Sequence, residues 1–242
     1  MNLKKVAHNL LRKLGFRLTR ITVCEPVAPF DILDIAVQAQ LVKEGPDFYF
    51  LQIGANDKVL ADSLNPLIKK HGLRGCLVEP MYDFYQDLMK NYSDQQQLDF
   101  RNCMISDSNG FGEIHRFKRD LPVPSFFYGL AREDSEYIRR PAISEGVEDY
   151  IESIEVRQQT FSSLLDGLPT KNISLLYLDT EGSDDKIIYY AFSAGLYPSI
   201  IQYEWSEMSP ERRYQLKMML LDNGYRFIDV GADTICLRLE GD

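Results

Sequence analysis

The chain has 242 residues, 45% hydrophobic, 12% aromatic and 26% charged, which suits one large globular domain and excludes disordered, collagen-like and disulfide-framework classes. A formal net charge of −9 disfavours a broad polyanion-binding surface, so no nucleic-acid partner is expected. The charge is uneven: residues 1–20 hold six bases and no acid, leaving 21 bases against 36 acids in the remainder.

In chain order, Leu3, Val6, Ala7, Leu10, Leu11 and Leu14 recur at three- and four-residue steps and form one helical face. Such a basic amphipathic helix is expected to dock on its own domain or on a second copy, with weak contact to an anionic membrane surface as the alternative. The uncharged run 6–11 contains His8 and Asn9 and is too short and polar for a secretory signal. No stretch approaches the roughly 20 apolar residues that cross a bilayer. Cys24, Cys76, Cys103 and Cys236 show no CxxC spacing, so reduced structural thiols are expected. With them goes a cytoplasmic location, peripheral at the inner membrane surface if the basic helix makes that contact.

Residues 1–44 read as this helix and a lead-in helix, and 45–242 as one domain. Within it, apolar runs at 48–53, 75–78, 98–105, 173–178 and 200–203 read as strands. Helical spacing separates several of them: Leu60, Leu64, Leu67 and Ile68; Phe84, Tyr85, Leu88 and Tyr92; Ile187, Ile188 and Ala191. Strands alternating with helices predict a doubly wound, mostly parallel sheet. Ser209-Pro210-Glu211 is a helix start and Asn223-Gly224 its stop. Runs at 225–230 and 234–239 then predict an antiparallel hairpin closing the sheet. Residues 110–150 hold Pro122, Pro124 and Pro141 and no sustained period, so an irregular, lid-like insertion is expected there. Its Phe126, Phe127 and Tyr128 would need a surface to cover.

The chemistry-bearing residues fall at predicted carboxyl ends of strands, where open parallel sheets bind ligands. The first strand ends in Gln52-Ile53-Gly54-Ala55-Asn56-Asp57. It lacks the further glycines of a dinucleotide fingerprint, and the chain has no P-loop. Asn56 and Asp57 suit an ammonium or sulfonium better than a phosphate. Glu79, followed by Pro80, lies 25 residues after Gly54; a carboxylate there can accept both hydroxyls of a ribose. The third strand runs into Met104-Ile105-Ser106-Asp107, where an adenine could meet an apolar face and a polar edge. Asp179, Glu181 and Glu204 follow the next two strands. They can act as general base toward a hydroxyl, as hydrogen-bonding groups or as holders of a divalent cation, or else be neutralised by Arg or Lys from the insertion. His71 and His115 read as capping or surface groups, and Trp205 as core before substrate stacking. No serine-hydrolase or zinc motif occurs.

The ordered series Gln52 to Asp57, Leu77-Val78-Glu79-Pro80, Met104 to Asp107, and Tyr177-Leu178-Asp179-Thr180-Glu181-Gly182 resembles the FkbM-type methyltransferases. Gly224-Tyr225 and Gly231-Ala232-Asp233-Thr234 fit the same pattern. The resemblance covers about residues 45–240. It implies a class I methyltransferase fold, a seven-stranded Rossmann-like sheet that uses S-adenosylmethionine and releases S-adenosylhomocysteine. The implied reaction is O-methylation of a sugar or secondary metabolite, with a small-molecule or glycan acceptor and no assigned metal.

By the same resemblance Gly54, Asn56 and Asp57 would surround the methionine part of the cofactor, with Gln52 and Ala55 also among the cofactor-binding residues. Glu79 and Pro80 would hold the ribose, and Met104, Ser106 and Asp107 would border the adenine. Asp179, Glu181 and Glu204 would face the transferred methyl, Asp179 as base. Lys58 departs from the family pattern, which often has glycine there. The alternatives are a non-catalytic cofactor-binding module and a nicotinamide-dependent oxidoreductase on a similar sheet.

Overall fold

The structure is a computed structural model that describes residues 31–57, 63–119, 121–123, 127 and 129–239. The expected helix within residues 1–20, the contacts expected of it, Cys24 and Lys58 lie outside these residues.

Helix α1 (Ile32–Glu44) leads into β1 (Phe50–Ile53), α2 (Leu64–His71), β2 (Gly75–Val78), α3 (Tyr82–Asn91) and β3 (Leu98–Arg101). Farther on come β8 (Leu175–Leu178), α6 (Asp184–Ser193), β9 (Ile200–Glu204), α7 (Pro210–Asp222), β10 (Tyr225–Val230) and β11 (Asp233–Arg238). They build a seven-stranded sheet of order β10-β11-β9-β8-β1-β2-β3. The five strands from β3 to β9 are parallel, whereas β11 is antiparallel to β9 and β10 to β11. The predicted doubly wound sheet and its closing hairpin are both present.

Every residue of β1, β2 and β8 is buried, because helices cover both faces of the parallel strands. Alternate residues feed two cores. Leu51, Ile53, Val78, Leu176 and Leu178 pack with Ile187, Ile188 and Leu216 from α6 and α7. Phe50, Leu77, Leu175 and Tyr177 pack with Val37, Ile68 and Leu88 from α1, α2 and α3. Successive strands run outward from β1 in one direction and from β8 in the other. The β1–β8 seam is therefore the switch point where such sheets bind ligands.

Two sequence expectations need correction. The run 98–105 is not one strand: β3 ends at Arg101, and Met104–Ile105 forms β4 in a different sheet. Between them the Asn102 amide donates to the carbonyls of Glu79 and Pro80, each at 2.9 Å, and turns the chain away. Nor is 110–150 irregular. It contains β5 (Gly110–Phe117), β6 (Ala131–Arg132) and α4 (Ser135–Glu145). Together with β4 and β7 (Ile151–Gln159) these strands make a second sheet of order β4-β7-β5-β6. The ordering partner of β5 is β7, paired from Gly110↔Gln158 to Phe117↔Ile151. A local period could not reveal that pairing. Phe127 packs on Phe117, ring centroids 4.3 Å apart, in a small core with Ile138 and Ala142. The short helix α5 (Phe161–Asp166) returns the chain to the main sheet.

Cys76, Cys103 and Cys236 are free and buried. Burial pushes their thiols up to about 12, 11 and 12 respectively, which makes them packing groups rather than nucleophiles.

Candidate active site

Gly54 turns off the end of β1 with φ +81°, and a Cβ there would lie 1.9 Å from the Asp179 carbonyl oxygen. Only glycine lets the ends of β1 and β8 approach so closely. The chain then swings toward β2: the amides of Gly54 and Ala55 donate to the Val78 carbonyl at 3.1 and 3.0 Å. The Asn56 amide donates to Glu79 Oε2 at 2.7 Å, and the Met81 amide donates to Glu79 Oε1 at 2.9 Å. Glu79 is 2% exposed. Each of its oxygens thus receives a backbone N–H, and the carboxylate lines a cleft.

That cleft encloses about 790 Å³ including its open mouth. Gly54, Asn56, Glu79, Pro80, Met104, Asp179 and Glu181 of the expected set lie on its wall, with Cys103, Ile105 and Ile114 as apolar lining. Ser106 and Asp107 line an adjacent polar cavity, which shares Ile105, Glu133, Ser183 and Ile187 with the cleft. Ala55 is buried in the core on the α1–α3 side. Gln52 is buried on the sheet with neither side-chain amide atom hydrogen-bonded, off the cleft wall. Asp57 is partly buried, and its carbonyl accepts from Asn91 Nδ2 at 2.5 Å.

At the other end of the cleft the expected acids diverge. Asp179 and Glu181 line the wall, but Glu204 stands off it and accepts a hydrogen bond from Ser206 Oγ at 2.5 Å. Partial burial pushes the Glu181 carboxyl, 36% exposed, up to about 7, reinforced by Asp179 and Glu204 and opposed by Arg132. Asp233, at the start of β11, is raised to about 6 by burial and by Glu204 and Asp179. Among the described residues no group of three or more His, Cys, Asp or Glu is arranged to hold a metal ion.

Three contributors escape the sequence pattern. Asp184, fully buried, accepts from the Thr180 amide at 2.9 Å, from the Thr180 hydroxyl and from the Glu204 amide at 2.7 Å. It ties the ends of β8 and β9 together. Arg212 grips Asp185 through two nitrogens and donates to the Gly182 carbonyl at 2.9 Å. Arg132, from the insertion, reaches Glu181 and Glu207. The reading in which an insertion arginine meets the carboxylates therefore holds for Glu181. The tryptophan packs as read, whereas the histidine expected to cap or face solvent is mostly buried against Asp34. His71 ends α2 and bonds Asp34 at 2.7 Å, and Trp205 packs on the core beneath the Arg213 guanidinium, 3.6 Å from its ring centroid. His115 Nδ1 pairs with Ser153 Oγ at 2.7 Å.

Residues 52–227 match the family model of the methyltransferase FkbM domain. The chain belongs to that family. FkbM methyltransferases use S-adenosylmethionine, and the nicotinamide alternative is set aside. A search among curated proteins finds no match.

Solved structures that the chain is similar to include an RNA methyltransferase from Salinibacter ruber in complex with S-adenosylhomocysteine. It is 12% identical, with 89% of this chain and 96% of that one covered and a TM-score of 0.38. Another is the O-methyltransferase TomG from Streptomyces achromogenes in complex with the methyl donor, at 10% identity, 98% and 89% coverage and a TM-score of 0.45. A third is the METTL16 methyltransferase domain, at 11% identity, 97% and 79% coverage and a TM-score of 0.46.

The FkbM site suits its cofactor on its own geometry. A buried carboxylate held by two backbone amides stands on the cleft wall, and at Gly54 only backbone fits. An apolar wall for a flat ring lies beyond.

Proposed function

We propose that this FkbM methyltransferase is an O-methyltransferase acting on a hydroxyl of a small-molecule or glycan acceptor, with no nucleic-acid partner. The observation that carries this reading is Glu181, a carboxylate raised to about 7 on the wall of the cleft that also holds Glu79. A hydroxyl must lose a proton as it is methylated, and a base titrating near the working pH suits that task.

Bound S-adenosylmethionine supplies an electrophilic methyl group that needs no further activation. The chain then has to orient, exclude water and take the proton. Glu79 accepts the ribose hydroxyls, and the amides of Asn56 and Met81 keep its two oxygens aimed. Gly54 and Asn56 admit the methionine part, while Cys103, Met104, Ile105 and Ile114 present the apolar wall. Ser106 and Asp107 stand at the polar edge beyond it. Asp179 orients the acceptor by accepting its hydrogen bonds, and Glu181 takes its proton, so we assign the base to Glu181 rather than Asp179. Glu204, off the wall, acts through its field on Glu181 and Asp233.

The acids at this end also disfavour a polyanionic acceptor. Among the described residues no helix is long and apolar enough to cross a membrane. A cytoplasmic setting, with self-association or anionic-membrane contact through residues 1–20, completes the proposal.

Labelled methyl transfer to a panel of sugars and hydroxylated metabolites tests it. Glu181→Gln is expected to lower kcat by about 100-fold and to leave S-adenosylhomocysteine affinity unchanged. Unchanged turnover removes Glu181 as base. Cofactor binding without transfer to any acceptor favours the non-catalytic module.

A further inference from the structure

Arg132 occupies an unusual place. The two-residue strand β6 pairs with β5 through His115↔Arg132, which delivers a guanidinium from the second sheet to the carboxylate end of the main-sheet cleft. The Arg132 side chain is 11% exposed. Its Nη2 lies 3.7 Å from Glu181 Oε2 and 3.3 Å from Glu207 Oε2. The group sits over the Tyr137 ring of α4, 5.1 Å from its centroid, and its buried Nε has no hydrogen-bond partner.

The main sheet makes room for it. Glu181 adopts φ +54°, which non-glycine residues seldom take. A Cβ on Gly182 would come within 3.3 Å of Arg132 Nη1, so the glycine after Glu181 clears the approach. The groups acting on Glu181 are Asp179 from the end of β8, Asp184 on α6, Glu204 on β9 and Arg132 from β6. Three carboxylates oppose its ionisation and one guanidinium favours it. Glu207 draws on that same guanidinium.

We propose that Arg132 is a positioning residue: it holds the Glu181 carboxylate ionised and fixed at the cleft wall, and Glu207 competes for it. Packing of the second sheet thereby readies the base. The consequence for turnover rests on the O-methyltransferase reading, whereas the coupling itself is measurable on the free protein.

Carboxyl-carbon NMR titration of protein labelled on glutamate, with the Glu181 signal assigned by its loss in E181Q, reads the coupling directly. Arg132→Met is expected to raise the Glu181 midpoint by about one pH unit or more, and Arg132→Lys to restore part of it. Glu207→Gln should lower the midpoint, and should do so less in the Arg132→Met background. A Glu181 midpoint unmoved in Arg132→Met with a native amide spectrum overturns the proposal. If Arg132→Met does not fold, unmoved midpoints in both Arg132→Lys and Glu207→Gln overturn it.

With a hydroxyl acceptor in hand, the acid limb of kcat/KM should shift with the NMR midpoint. A limb that stays in place while the midpoint moves overturns the positioning role. Midpoints that move as expected, with no transfer to any hydroxyl acceptor, remove O-methylation and leave the Arg132–Glu181 coupling standing.

Discussion

At the residue scale, Glu79 and Gly54 are expected to tolerate little substitution on the proposed cofactor side. Glu79→Gln keeps the shape but gives one of the two backbone donors, Asn56 N–H or Met81 N–H, an amide NH₂ to face instead of an oxygen. S-adenosylhomocysteine affinity measured by calorimetry should fall by about tenfold or more, the loss of roughly one charge-assisted hydrogen bond. At Gly54 the obstacle is backbone, the Asp179 carbonyl, so no side-chain rearrangement can yield. Gly54→Ala is expected to cost about 3 kcal/mol in urea unfolding through overpacking and the positive φ. The placement of both was readable in the sequence, because a glycine and an acid just past apolar runs mark strand ends locally. Glu204, expected to face the transferred methyl with Asp179 and Glu181, does not reach the wall that those two line. The extent of a strand and the aim of its last side chain depend on what that strand pairs with.

At the element scale, the turn between β8 and α6 is held on both sides. Asp184 binds it to β9 from within, and Arg212 on α7 binds it from outside through Asp185 and Gly182. Asp184→Ala strands the buried donors of Thr180 and Glu204 and should cost about 3 kcal/mol, with methyl transfer weakened and cofactor affinity retained. Arg212→Met leaves the Asp185 carboxylate, 7% exposed, without its cation. A loss of about 2 kcal/mol is expected from that partly buried pair; equal stability of variant and wild type in urea melts would show that the clamp contributes nothing. Neither brace had a signal in the sequence, since an acid in the first turn of a helix is ordinary. The helix starts and stops were readable for the opposite reason: the Ser209 hydroxyl accepts from the Arg212 amide at 3.3 Å, and Gly224 takes φ +85°, both purely local chemistry.

At the scale of the whole molecule, the acids at the carboxyl end of the sheet link stability to pH. Fully buried Asp184 and partly buried Glu181 are raised to about 7 and partly buried Asp233 to about 6, mainly by desolvation. A carboxyl with a raised folded-state pKa binds more protons folded than unfolded between the two values, so stability falls as pH rises through that window. Asp34, lowered to about 2 by hydrogen bonds from Lys70 and His71, acts in the opposite sense, but only below the ordinary carboxylate range. Urea unfolding should therefore show decreasing stability from about pH 5 to 7, less steeply in Asp233→Asn. A rise across that interval would contradict the burial of these groups.

The sequence alone determined the doubly wound sheet, its antiparallel hairpin, the placement of Gly54 and Glu79 at successive strand ends and the family resemblance. Those features are written in period, caps and spacing within a few residues. Tertiary structure decided the second sheet, the split of the run 98–105, the burial that raises Glu181 and the arrival of Arg132 from 49 positions earlier in the chain. Their causes are pairings between distant segments, β5 with β7 and β6 with the carboxylate turn, and desolvation, which exists only once those segments have packed.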